Sequence, residues 1–107
     1  MSKWDAAQLA LEIARRDEDG HHQAVWLPCY EAAEKGGTPI PGAIEAEADR
    51  LTEARCAAEN ALIATHAPDL SAAILKIEYA RKRWADFAHW PETWWAAIMA
   101  DLHRLAA

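Results

Sequence analysis

AIEAEADRLTEARCAAENALIATHAPDLSAAILKIEYARKRWADFA, residues 43–88, is the stretch whose reading decides the fold. In its first arm Ile44, Ala48, Leu51, Arg55, Ala58, Leu62 and Thr65 recur at alternating spacings of four and three, flanked by Ala54 and Ala61. That is a helical period with a narrow, small-residue seam. In the second arm Leu70, Ala73, Ile77, Ala80, Trp84 and Phe87 fall on one side, joined by Ile74 and Ala88, again at helical spacing. An alanine seam lets one backbone approach closely while Trp84 and Phe87 supply bulk on the facing arm, which predicts a long antiparallel hairpin of helices 43–65 and 70–88. The break between the arms has its own chemistry. Pro68 cannot continue the first helix, and Asp69 or Ser71 can accept from the free N–H groups that open the second.

Outward from the hairpin, each end of the chain reads as further helix. Ser2 is placed to cap a helix over residues 3–16, with Asp5 three positions on imitating a capping box. Trp4, Leu9, Leu11 and Ile13 form its apolar arc opposite Asp5, Gln8, Glu12, Arg15 and Arg16. The run Asp17-Glu18-Asp19-Gly20 predicts its end, since three acids repel near a helix C-terminus and Gly20 can turn left-handed. A second helix is expected over residues 21–35, kinked or broken at Pro28, whose ring opposes the carbonyl of Ala24 and whose missing N–H removes one hydrogen bond. Trp26, Leu27, Tyr30 and Ala33 are its core candidates. Gly36-Gly37 stops it, and residues 36–42 connect to the hairpin. Beyond the hairpin, Pro91 opens a last helix over 91–105, with Glu92 in its first turn and Trp94, Trp95, Ile98, Met99, Leu102 and Leu105 on its apolar side. The expectation is an all-α fold, a compact bundle of about five helices built around the hairpin, in a single domain of residues 1–107.

A hydrophobic content of 52% with only four glycines excludes a disordered chain. Much of that content is alanine, so the six tryptophans (4, 26, 84, 90, 94 and 95) read as the main bulk available to a core. The net charge of −6 is uneven: residues 1–49 hold ten acids and four bases, residues 50–107 seven of each. An acidic chain without a basic stripe is poorly suited to a phosphate backbone and better suited to a basic protein surface, toward which its charge steers encounters. The same acidity also serves solubility. The first residues meet polar and acidic side chains before any apolar run, and no stretch reaches the ~20 apolar residues of a membrane span, so a cytoplasmic protein without a signal peptide is expected. Cys29 and Cys56 lack metal or redox spacing and read as free, structural thiols.

Thr38-Pro39, the run Ala61-Leu62-Ile63-Ala64-Thr65 leading to Ala67-Pro68, and Trp94-Trp95-Ala96-Ala97-Ile98 together resemble a group of short, uncharacterised helical proteins of alphaproteobacterial phages and prophages. The resemblance spans about residues 20–107. It implies a setting, accessory proteins of mobile elements that bind and inhibit a host machine, of which anti-CRISPR proteins are one class. It implies no residue role.

Catalytic and cofactor chemistry find no footing. His21, His22, His66, His89 and His103 show no H-E-x-x-H or paired E-x-x-H pattern, so no metal is expected. Neither cysteine nor either serine sits in a nucleophile elbow, and no glycine loop cradles a phosphate, so no enzyme and no cofactor are expected. Arg81-Lys82-Arg83 spreads around a helix rather than forming one patch, which argues against direct nucleic-acid contact. What remains is protein binding. Glu45, Glu47, Asp49 and Glu53 are the acidic candidates for covering a basic surface on a host protein or nucleoprotein. Trp90, Trp94 and Trp95 are the aromatic candidates, since tryptophan favours interface centres, wherever one of them is exposed. The alternative is a structural module in which alanine seam and exposed tryptophans pair two copies as a homodimer.

Overall fold

The computed structural model describes all 107 residues, and they form helices and turns without a strand. There are four helices where five were expected. Helix α1 occupies residues 3–36 as one unbroken run, α-helical over Lys3–His21, π-helical over His22–Trp26 and α-helical again over Leu27–Gly36. Helix α2 is Gly42–Ala64, α3 Leu70–Arg83 and α4 Glu92–Ala106.

The start of α1 follows the expected chemistry. Ser2 Oγ accepts from the Asp5 backbone N–H at 3.1 Å and donates to the Asp5 carboxylate at 2.8 Å, which caps the first turn. The expected break at Gly20 is absent. Gly20 stays in right-handed helix, since Gly37 is the sole residue with positive φ. A helical glycine costs about 1 kcal/mol relative to alanine, too little to stop a helix that neighbouring turns support. Pro28 also fails to break the run. Just upstream the ladder widens, and the Leu27 N–H bonds to His22 O, five residues back. An i→i+5 turn of this kind absorbs the crowding and the lost donor that proline imposes, so the helix continues where an α-only ladder must kink or end. Its real end is Gly37, at φ +69°, whose N–H bonds to Ala33 O at 2.9 Å.

Local chemistry bounds the other helices. The Pro41 carbonyl accepts from Ile44 at 3.0 Å to open α2, and Asp69 accepts from the Ala72 N–H at 2.9 Å to cap α3. Pro91 precedes α4 and offers its carbonyl to Trp94 and Trp95. Helix α3 stops at Arg83, five residues short of expectation. Trp84 leaves helical geometry (φ −110°, ψ 22°) and turns its ring edge-on to Trp94, with centroids 5.5 Å apart. Tertiary packing of that ring wins over the local period, and Phe87, expected in the core, is 59% exposed.

The chain forms two compact units, residues 1–7 with 60–107 and residues 8–59; α1 and α2 each supply residues to both. In the first, Ile63, Ala80, Trp94 and Ile98 make the core, with Ile77, Tyr79, Trp84, Trp90, Ala97 and Leu102 packed against it. The close helix pair in this unit is α3 with α4, not the two expected hairpin arms. The alanines of α3 explain this: Ala73 and Ala80 are fully buried, so their small side chains bring α3 near its neighbours. In the second unit the buried apolar side chains are Leu11 and Leu51. Leu9 and Ile13, expected to face the core beside Leu11, are exposed, as is Tyr30.

Candidate functional site

The net charge belongs to one unit. Residues 8–59 hold eleven acids and five bases, a balance of −6, while residues 1–7 with 60–107 hold six of each. Within the acidic unit, Glu45, Asp49 and Glu53 are exposed on α2 at successive steps of four, so they line one helix face. Like charges at that spacing repel, and a cation laid along the row relieves the repulsion. Glu47 differs from them. The Arg50 guanidinium donates to it and holds its carboxyl below the usual range, and the pair lies open to solvent. A pair so exposed contributes little to stability.

The π turn builds the second feature of this unit. His22, Trp26 and Tyr30 stand four residues apart on α1, and their rings stack. His22 and Trp26 lie 5.2 Å apart at 15°, Trp26 and Tyr30 5.0 Å apart at 13°. Beside this ladder opens a cleft of about 340 Å³, lined by Glu18, Asp19, His21, His22 and Trp26 of α1 and by Ala48, Leu51 and Thr52 of α2. Glu18 of this lining belongs to an ion-pair triad. Arg55 donates to Glu18 at 2.8 Å and to Glu59 at 2.9 Å, with Glu59 nearly sealed from solvent. Burial pushes the Arg55 guanidinium toward its neutral form, but the Glu18 hydrogen bond and both carboxylate charges outweigh burial and hold it charged.

The aromatic candidates separate cleanly. Trp94 is core, 2% exposed, with its indole N–H donated to Asn60 Oδ1 at 2.8 Å. Trp90 is half-buried, and Trp95, 50% exposed, meets it edge-to-face at 5.9 Å. Of the three tryptophans proposed for partner contact, Trp95 is the one that presents its ring to solvent.

The neutral unit holds a polar centre of a different kind. Lys76, 1% exposed, donates to Ile63 O at 2.7 Å, to Thr65 O and to Asp101 Oδ2. Asp101 also accepts from the Ala67 N–H at 3.1 Å and from Arg104 at 2.8 Å. Burial raises the Asp101 carboxyl, but these donors together hold it below the ordinary aspartate value. The network satisfies carbonyls at the end of α2 and the turn after it, so its role is to fasten that turn. The histidines stand apart from such a centre, and no group of three His, Cys, Asp or Glu converges to hold a metal ion. Cys29 and Cys56 are free thiols, both half-buried. No helix is long and apolar enough to cross a membrane.

Two parts of this arrangement escaped sequence reasoning. The ladder had a visible signal, His22, Trp26 and Tyr30 at steps of four, but an expected kink at Pro28 divided it. Lys76 had one too, since it sits between Ala73 and Ala80 on the buried stripe of α3. Compared with protein-family models, with curated proteins and with solved structures, the chain matches none.

Proposed function

We propose that this protein acts without catalysis, as a mobile-element accessory protein that binds and inhibits a host protein or nucleoprotein in the cytoplasm, in the manner of an anti-CRISPR inhibitor. The surface that meets the host is the acidic face of residues 8–59, and the group it covers is a basic surface that otherwise engages nucleic acid. One observation carries this reading: the whole net charge of −6 lies in that unit, with Glu45, Asp49 and Glu53 aligned and exposed on α2. Charge gathered on one face steers a basic partner and presents it with several carboxylates at once.

The test is recovery of partners by the tagged protein from host lysate, with and without nuclease and with a high-salt wash. A basic protein or ribonucleoprotein retained after nuclease, released by salt and lost with a Glu45→Lys, Asp49→Lys, Glu53→Lys variant supports the reading. Recovery of its own copies alone overturns it for that host. That second outcome favours a self-associating module, which the exposed Trp95 and Phe87 of the neutral unit support, because no net charge there opposes pairing.

A further inference from the structure

We infer that α4 pairs antiparallel with α4 of a second copy of this chain through its outward face. This goes beyond the host contact proposed above and does not rest on it, since α4 lies wholly within residues 60–107 and the acidic face within 8–59. Trp94, Ile98 and Asp101 turn one side of α4 into the core, which leaves Glu92, Trp95, Ala96, Met99, Ala100 and His103 on the other. All but the half-buried Met99 are exposed, and Trp95 keeps 50% of its surface in water. No charge interrupts this face between Glu92 and His103. Other exposed apolar side chains lie among charges: Leu9 and Ile13 of α1 beside Glu12 and Arg16, and Ile74 of α3 beside Glu78.

The order of side chains along the face names the occupant. A two-fold contact requires a surface that complements itself, because each residue pair occurs twice with the roles exchanged. Laid head to tail about a point between Ala97 and Ile98, two α4 helices set Met99 of each opposite Ala96 of the other, large against small. The same register sets Glu92 of each opposite His103 of the other, acid against base. Parallel helices instead set Glu92 against Glu92 and Met99 against Met99, and both matches are lost. Head-to-tail pairing also brings the positive end of one helix beside the negative end of the other. Ala96 and Ala100 let the two backbones approach, and Trp95, at the border of the seam, is taken out of water. Residues 1–7 with 60–107 hold six acids and six bases, so no net charge on this unit opposes the contact.

The experiment is analytical ultracentrifugation of the full chain over a concentration series reaching about 1 mM, at low and at high salt. The wild type is expected to pass from one chain to two as concentration rises, and to stay paired in high salt, which releases a contact held by charge alone. Ala96→Glu sets a carboxylate against Met99 in the seam, and it and Trp95→Ala are each expected to weaken pairing by about tenfold or more. Ala96 is exposed and glutamate is a strong helix former, so that variant keeps the fold even if Trp95→Ala loosens Trp90. Ala10→Glu, the same change at an exposed position of α1, leaves pairing unchanged. Glu92→Lys is expected to weaken pairing and the double variant Glu92→Lys, His103→Glu to restore it, because the exchanged charges meet only in an antiparallel pair. A chain that stays single up to about 1 mM overturns the α4 contact. Equal weakening by Ala10→Glu and Ala96→Glu, or no rescue by the charge exchange, overturns it as well. Each of these outcomes spares the function proposed above. A salt-resistant α4 dimer, with no basic partner recovered from lysate, breaks the proposed function and spares the dimer.

Discussion

In residues 60–107 the charged side chains Lys76 and Asp101 are sealed from solvent and close on each other and on backbone groups, whereas in residues 8–59 Glu45, Asp49 and Glu53 stand in water along one helix face. The two units also differ in their apolar packing. The first buries Ile63, Trp94 and Ile98 around the alanines of α3, while the second buries only Leu11 and Leu51; both leave large apolar side chains exposed, Leu70, Phe87 and Trp95 in the first and Leu9, Ile13, Val25 and Tyr30 in the second. The contrast lies in charge and core: the first unit pairs its buried charges internally around a larger apolar core, and the second has a smaller core and carries the net charge at its surface, which gives the first more to lose on unfolding.

The largest effect expected from breaking this contrast lies in the sealed centre. Asp101→Ala strands a buried ammonium and the Ala67 donor, and a loss of about 3–5 kcal/mol is expected in denaturant unfolding. Ile98→Ala, in the same core, is expected to cost about 2–5 kcal/mol by the lost transfer energy and the cavity left behind. Acid probes the same centre without mutation. The Asp101 carboxyl is depressed in the folded chain, so its contribution is complete above the unfolded value of about 3.9 and is lost as pH falls through the folded one. Protection of the amides of residues 60–107, taken relative to the intrinsic exchange rate at each pH, is expected to fall below about pH 4 in the wild type, and Asp101→Asn to remove that dependence.

Smaller effects test the displayed unit. Gly20 lies within α1 at an ordinary helical φ, and a Cβ added there meets nothing within 4 Å. Gly20→Ala is therefore expected to raise stability by about 0.5–1 kcal/mol, read as a higher denaturation midpoint. A loss instead shows that residue 20 needs a conformation alanine resists. Glu47→Gln removes an open ion pair and is expected to leave the midpoint unchanged. A measurable fall there shows that the acidic unit depends on its surface charges for more than contact.

Sequence periodicity by itself determined that this chain is helical, and short-range chemistry determined where several helices begin and end. Ser2, Asp69 and Gly37 act through bonds to residues three or four positions away, so neighbours in sequence suffice to decide them. Its charge asymmetry was legible for the same reason, since charge is counted without coordinates. The tertiary structure decided the rest. Gly20 and Pro28 carry local preferences for a break, yet α1 runs through both, because a π turn absorbs the proline and one helical glycine costs little. Trp84 ends α3 early because its ring packs against Trp94, and Lys76 is buried because carbonyls and a carboxylate from outside its own helix surround its ammonium. Those partners lie ten or more residues away in sequence. A one-dimensional pattern records which residues can share a face, and only the packed chain decides which face is covered, by whom, and which is left to meet another molecule.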